Sequence, residues 1–266
     1  MLNEHDFSRL NNSMIPLNEG FLFYFCPKFS FMSKPKYILT DIEGTTTSVS
    51  FVYDVLFPYF RENIDKVKDL IHLPEVIDIF KQTKELVKNE GVDLITNQEV
   101  INQLTAWSLE DKKITPLKTL QGILWKEAYE SGLIKGHVYP DVANALAHWK
   151  NENIELGVFS SGSVAAQKLI FGFSEAGDLT PYFSNYFDTN TGGKRETETY
   201  SKIATLIGKI PNDILFLSDI VEELEAADNA GFQTIQLVRQ GTTANWPSTA
   251  KSFSEINLDV IQRISN

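Results

Sequence analysis

The sequence predicts an α/β fold: a parallel sheet covered by helices on both faces, with a helical bundle inserted after the first strand. Three observations point there. Short apolar runs end abruptly in polar or acidic residues at Asp41, Ser160 and Asp219, as buried strands do when they run into polar turns. From Gly136 onward strand-length and helix-length segments alternate, the pattern of a parallel sheet. Between the first two apolar runs, four helix-length segments follow one another with no strand pattern among them. Together these describe a Rossmann-like core interrupted by a bundle.

Taken in order, residues 1–31 are polar and Asn-rich at first, then carry a short greasy run at 21–25 closed by Cys26 and Pro27. That run is too short to span a bilayer. With Glu4 and Asp6 against Arg9 it also lacks the basic start of a signal peptide. Because Met32 opens a stretch that reads like a start just before the first strand, 1–31 is expected to be an extension, disordered or not native, that carries no part of the function.

The first strand is Tyr37, Ile38 and Leu39, running to Asp41. Helices are expected over 54–71, 73–89, 97–112 and 116–133, where apolar residues recur at three and four. Pro74 and Pro116 sit near helix starts, and Gly91 and Gly132 near ends. Further helices are expected over 140–151, 164–173, 196–207 and 222–230, and strands over 154–159, 186–188, 214–217 and 234–238. A loop and tail follow from 241, with a last helix over 254–264. The expected domains are a core of 32–53 and 136–266 and a helical cap of 54–135.

Ligands of open α/β sheets bind beyond the carboxyl ends of the strands, and that is where the reactive residues lie. Asp41 has the chemistry of a nucleophile that forms an aspartyl-phosphate, and Glu43, in the turn with Gly44 and three threonines, that of a proton carrier. Ser160-Ser161-Gly162-Ser163 closes a strand and opens a helix, a place where hydroxyls and backbone N–H groups hold a phosphate oxygen. A serine before a helix is equally an ordinary N-cap. No Gly-x-Ser-x-Gly surrounds it, so a serine hydrolase is excluded.

Lys194, after Thr191-Gly192-Gly193, offers the cation that phosphoryl transfer requires. Taken alone it is a surface lysine, with Arg195 as its competitor. Asp219 ends another apolar run and is followed by Glu222 and Glu223, acids that also suit a helix first turn. Mg²⁺ takes hard oxygen ligands and keeps several waters, so two carboxylates from two strand ends suffice for it. His137 is expected to serve a hinge or packing role, His72 and His148 have no ligand-spaced partner, and the patch of Phe51, Val52, Tyr53, Phe57 and Tyr59 is expected in the core of the bundle, with the lining of an apolar substrate pocket as the alternative.

Asp41-Ile42-Glu43-Gly44-Thr45-Thr46-Thr47 resembles the first motif of the haloacid dehalogenase-like hydrolases, which mostly carry a second aspartate where Glu43 stands. With glutamate there it is similar to the enolase-phosphatases of methionine salvage. Ser160 matches the second motif of that superfamily, Lys194-Arg195-Glu196-Thr197-Glu198-Thr199-Tyr200 the third, and Asp219 with Glu223 the fourth. The heptapeptide Gly136-His137-Val138-Tyr139-Pro140-Asp141-Val142 is similar as well.

The resemblance, over residues 36–238, implies Asp41 as nucleophile, Glu43 as proton carrier, and Ser160, Ser161 and Lys194 as phosphate ligands. It implies one Mg²⁺ per chain, on Asp41, Asp219 and the main-chain carbonyl of Glu43, with Glu223 supporting Lys194 or a metal-bound water. The implied reaction converts 2,3-diketo-5-methylthiopentyl-1-phosphate to its enol phosphate and then to an acireductone and phosphate. Another capped phosphatase of the superfamily, acting on a different small phosphomonoester, is the alternative. A phospho-receiver module also groups acids, a hydroxyl and a lysine at strand ends, but it has no bundle after its first catalytic strand.

A net charge of −11 over 266 residues opposes nucleic-acid and anionic-membrane partners. It equally opposes a phosphate ester unless Mg²⁺ and a lysine reverse the field locally. Cys26 is the single cysteine, so an intrachain disulfide or a zinc cluster is excluded. The expected protein is a cytoplasmic monomer, nuclear as well in a eukaryote, acting on a small phosphorylated molecule.

Overall fold

The computed structural model describes residues 34–259; the expectation for 1–31 and the end of the 254–264 helix lie outside them. β1 (Tyr37–Thr40) is buried at every residue, as an unbroken apolar run in a doubly covered sheet must be. A long helical excursion follows. It comprises α1 (Val49–Phe51), a π-helical turn (Val52–Leu56), α2 (Phe57–Asn63), a 3-10 turn (Ile64–Lys66), α3 (Val67–Leu70), α4 (Pro74–Lys88), α5 (Asn97–Leu109) and α6 (Thr115–Glu130). The run starts earlier than the expected 54 because the Ser48 hydroxyl caps α1 by accepting the Ser50 N–H. Thr96 and Glu99 form a capping box at the start of α5.

The chain then alternates through α7 (Val142–Asn151), β2 (Glu155–Phe159), α8 (Val164–Gly172), β3 (Asn185–Phe187), α9 (Thr197–Ile207), β4 (Ile214–Ser218), α10 (Val221–Asn229), β5 (Gln233–Leu237) and β6 (Thr249–Ala250). All strands pair in parallel, in the order β3-β2-β1-β4-β5-β6. β6 was expected as loop: two residues are too short to show a period, and the strand exists through the Gln236 and Val238 N–H groups, which donate to Ser248 O and Ala250 O. Among the described residues, the expected last helix is a single 3-10 turn at Phe253–Glu255, anchored by the burial of Phe253.

β1 sorts its side chains by period two. Tyr37 and Leu39 join a cluster with Phe159, Tyr200, Phe216 and Phe232. Ile38 joins a larger cluster that runs from Leu156 and Leu217 into Phe57, Phe60, Trp107 and Trp125 of the insertion. One apolar core is therefore continuous from sheet to bundle. Tyr37 crosses β2 over Gly157, where any Cβ would meet the phenol oxygen, and donates to Asn185 Oδ1 on β3 at 3.1 Å. The strand order reverses between β1 and β4, both central, which puts the ligand-binding crevice at their carboxyl ends.

Candidate active site

Because β1 and β4 pair directly, with Thr40 opposite Leu217, the residues that follow them lie side by side. The Asp41 N–H donates to Leu217 O at 2.9 Å. Beyond it the chain folds round one carbonyl: Ile42 O accepts the N–H groups of Thr45, Thr46 and Thr47 at 3.2, 2.9 and 2.9 Å. Gly44 is required here on two counts. Its φ is +77°, and a Cβ on it would lie 2.3 Å from Asp219 Oδ2.

Lys194 is delivered by the loop before α9. Its ammonium donates to Asp41 Oδ1 at 2.5 Å and pairs with Glu223 Oε2 at 2.7 Å. The backbone of Lys194 is fixed by the Tyr200 hydroxyl, which donates to its carbonyl at 2.7 Å, and the Phe159 ring lies 5.8 Å from the ammonium. Ser218 Oγ donates to the same Glu223 oxygen at 2.9 Å. Arg195, one residue on, is exposed, and so is Glu222, in the first turn of α10.

Ser160 is buried, and its Oγ accepts the Gly162 N–H at 3.1 Å. N-capping of α8 falls to Ser163, which accepts the Ala166 N–H at 3.3 Å, so that task is not Ser161's. Glu43, Ser160 and Ser161 line one narrow cleft of about 40 Å³ between the strand ends and the insertion, and Phe57 and Trp125 line its far wall. The aromatic patch is thus divided: Phe51 and Phe57 are buried, while Tyr53 is exposed and donates to Asp111. His137 accepts the Ser48 N–H through Nδ1 at 3.1 Å, while Thr47 Oγ1 donates to the His137 carbonyl at 2.5 Å. That imidazole ties the 136–142 heptapeptide to the loop after Asp41, and burial lowers its pKa.

Four carboxylates, of Asp41, Glu43, Asp219 and Glu223, gather round the ammonium of Lys194, and their proton affinities record the imbalance. Burial, then the charge of Asp41, raises Asp219 and Glu223 to about 7 each and pushes Glu43 upward. Burial acts to lower the Lys194 pKa, but Asp41 and Glu223 outweigh it and hold the ammonium above its usual range. Asp219 Oδ1 is buried without a hydrogen-bond partner. An acid cluster short of positive charge, with an unsatisfied hard oxygen, suits a divalent cation. Among the described residues no three acidic, imidazole or thiol side chains form a metal cage; two carboxylates and a main-chain carbonyl would leave the other positions of a divalent cation to water and substrate oxygens.

Lys118, at the cleft, its hydrogen-bond partner Thr189, and Arg239, behind the Asp41 loop, were not marked by sequence reasoning. A single lysine in an amphipathic helix carries no pattern, and neither does an arginine after a strand.

A carboxylate held by an ammonium at a strand end, beside a buried serine and a surplus of acids under a helical insertion, suits a hydrolase of phosphate esters. Residues 35–231 match the haloacid dehalogenase-like hydrolase family. The chain is 51% identical over 210 residues to enolase-phosphatase E1 of Picosynechococcus sp., covering 79% of this chain and 92% of that protein. To the enzyme of the same name from Pseudomonas fluorescens it is 49% identical over 228 residues, covering 83% and 96%. The crystal structure of the UTR4 protein from Saccharomyces cerevisiae superposes with a TM-score of 0.69 at 34% identity, covering 84% of this chain and all of that one. The chain belongs to the haloacid dehalogenase-like hydrolases and, within them, to the enolase-phosphatases.

Proposed function

We propose that the protein catalyses the Mg²⁺-dependent conversion of 2,3-diketo-5-methylthiopentyl-1-phosphate to its enol phosphate and then to the acireductone and phosphate. The observation that carries this is the Asp41–Lys194–Glu223 ion-pair triad directly beneath a loop in which Glu43 takes the second acidic position. The substrate's phosphate is placed at Lys194, Ser160 and Ser161, the diketone in the cleft. The core (32–53 and 136–266) carries the chemistry, and the cap (54–135) covers it.

In the first half-reaction the proton beside the carbonyl passes to Glu43. In the second, Asp41 Oδ attacks phosphorus and the bond to the substrate oxygen breaks, Glu43 returning a proton to the leaving oxygen. Water then attacks the aspartyl-phosphate and frees phosphate and Asp41. Lys194 holds the transferring phosphoryl oxygens against Asp41, and Glu223 keeps the ammonium in place. One Mg²⁺ per chain, on Asp41, Asp219 and the Glu43 carbonyl, would supply positive charge between nucleophile and phosphate. On this proposal the protein is a cytoplasmic monomer without nucleic-acid or membrane partners. Among the described residues no helix is long and apolar enough to cross a membrane.

The test is turnover of the diketone phosphate beside a panel of common phosphomonoesters, following enol absorbance and free phosphate together. Strong preference for the diketone with both signals supports the proposal. Equal turnover across the panel with no enol would replace it by a general phosphatase.

A further inference from the structure

Two cations of the insertion reach the cleft, Lys113 and Lys118, and their situations differ. Lys113 is exposed and paired with Asp111 at 2.6 Å. Lys118, in the first turn of α6, is half-buried, and its Nζ donates to the Thr189 hydroxyl at 2.9 Å. Among the described residues no carboxylate forms an ion pair with it; burial lowers its pKa and the more distant charge of Asp188 only partly offsets this. An ammonium withdrawn from water and met by one neutral hydroxyl is unfavourable for folding alone. It becomes favourable when a ligand brings an oxygen that is, or becomes, negative.

The position of that oxygen follows from the floor of the site. A phosphate seated against Lys194 and Ser160 leaves the rest of a small ester to extend into the cleft lined by Glu43 on the core side and Lys118 on the bundle side. On that placement a carbonyl next to the phosphoester carbon would come between the proton carrier and this ammonium, both of which line the cleft.

We propose that Lys118 is a catalytic residue of the enolisation, its ammonium holding the carbonyl oxygen beside which the proton is removed. The assignment rests on the enolase-phosphatase reading. In that step the C–H bond breaks and its proton goes to the Glu43 carboxylate. The electron pair forms the C=C bond, and the carbonyl π pair becomes a lone pair on the oxygen facing Lys118. That oxygen then takes a proton from water to give the enol, while Glu43 keeps the one it gives to the leaving oxygen in the second half-reaction. Lys118 keeps its own protons throughout and serves the first half-reaction, as Lys194 serves the second.

The test compares wild type, Lys118→Met, Lys118→Arg and Lys126→Met on the diketone phosphate and on the same compound deuterated at the carbon that loses the proton. Lys118→Met should slow enol appearance by about 100-fold, the scale of a lost oxyanion contact. Its turnover should also become sensitive to deuterium, because C–H cleavage becomes the slow step. Lys118→Arg should recover part of the rate, and Lys126→Met, at an exposed position of the same helix away from the cleft, should stay near wild type. A normal rate in Lys118→Met, a loss without an isotope effect, or the same loss in Lys126→Met would overturn the assignment. Failure of the wild type to form any enol sinks the functional reading and the assignment with it, and is distinct from all of these.

Discussion

Two buried ion clusters hold the loop after β1 from opposite sides, and they are built on opposite principles. Behind the loop, the Arg239 guanidinium meets Asp141 in a bidentate pair, 2.9 Å at each oxygen. It also donates through Nε to Thr45 O at 3.1 Å and through Nη1 to Lys251 O at 3.2 Å, and lies 4.1 Å from the Tyr139 ring. Asp141 accepts the Phe253 N–H as well. Burial acts to raise the Asp141 pKa, but the hydrogen bonds from Arg239 and Phe253 outweigh it and hold the carboxyl below its usual range. In front of the loop, Lys194 faces four carboxylates, two of which it touches. A matched cluster fixes structure. An unmatched one keeps a standing demand for positive charge, which a cation fills, and leaves an ammonium to meet a phosphate.

The contrast is most sharply tested at Asp41. Asp41→Asn should abolish phosphate release, by at least about 10⁴-fold on the scale of removed nucleophiles, while enol phosphate accumulates at high Mg²⁺. Phosphate release at a normal rate would remove the nucleophile assignment. Next in size, Arg239→Met should destabilise the fold by roughly 3–5 kcal/mol, since it leaves Asp141 buried and unpaired. Denaturant unfolding reads this directly. A stability close to wild type would show the matched cluster to be dispensable.

Lys194→Ala should reduce kcat on the scale of about 3 kcal/mol, and Arg195→Ala, at an exposed position, should do far less. Reversal of the two effects would mean the wrong cation has been chosen. The last effect is on pH. Asp219 and Glu223 rise to about 7 in the folded chain from ordinary values of 3.8 and 4.5, so between those limits the folded state binds the extra protons. Stability of the metal-free protein should therefore fall as pH rises from the ordinary carboxylate range to about 7, then level. Thermal midpoints should fall over that interval, Asp219→Asn should flatten the fall, and Mg²⁺ should raise the midpoint more at pH 8 than at pH 5.5. A flat profile in the wild type would mean the acids are not crowded.

Most of the sheet was legible because its strands are unbroken apolar runs punctuated by acids and serines, and the insertion because apolar spacing repeats over whole helices. Local chemistry also determined which turn each reactive residue occupies: Asp41 before Gly44, Ser160 before a helix, Asp219 before Glu223. What no window of sequence contains is which of these turns meet. The strand order that sets Asp41 beside Asp219, the choice of Lys194 over the exposed Arg195 and the seating of Lys118 against Thr189 were decided by tertiary packing. So were the two-residue strand β6 and the reach of Arg239 from the end of β5 to Thr45 and Asp141. Periodicity reports how a segment partitions between water and a core, and that a sequence does encode locally. Charge pairing depends on distance between segments far apart in the chain, and those distances exist only once the sheet has formed.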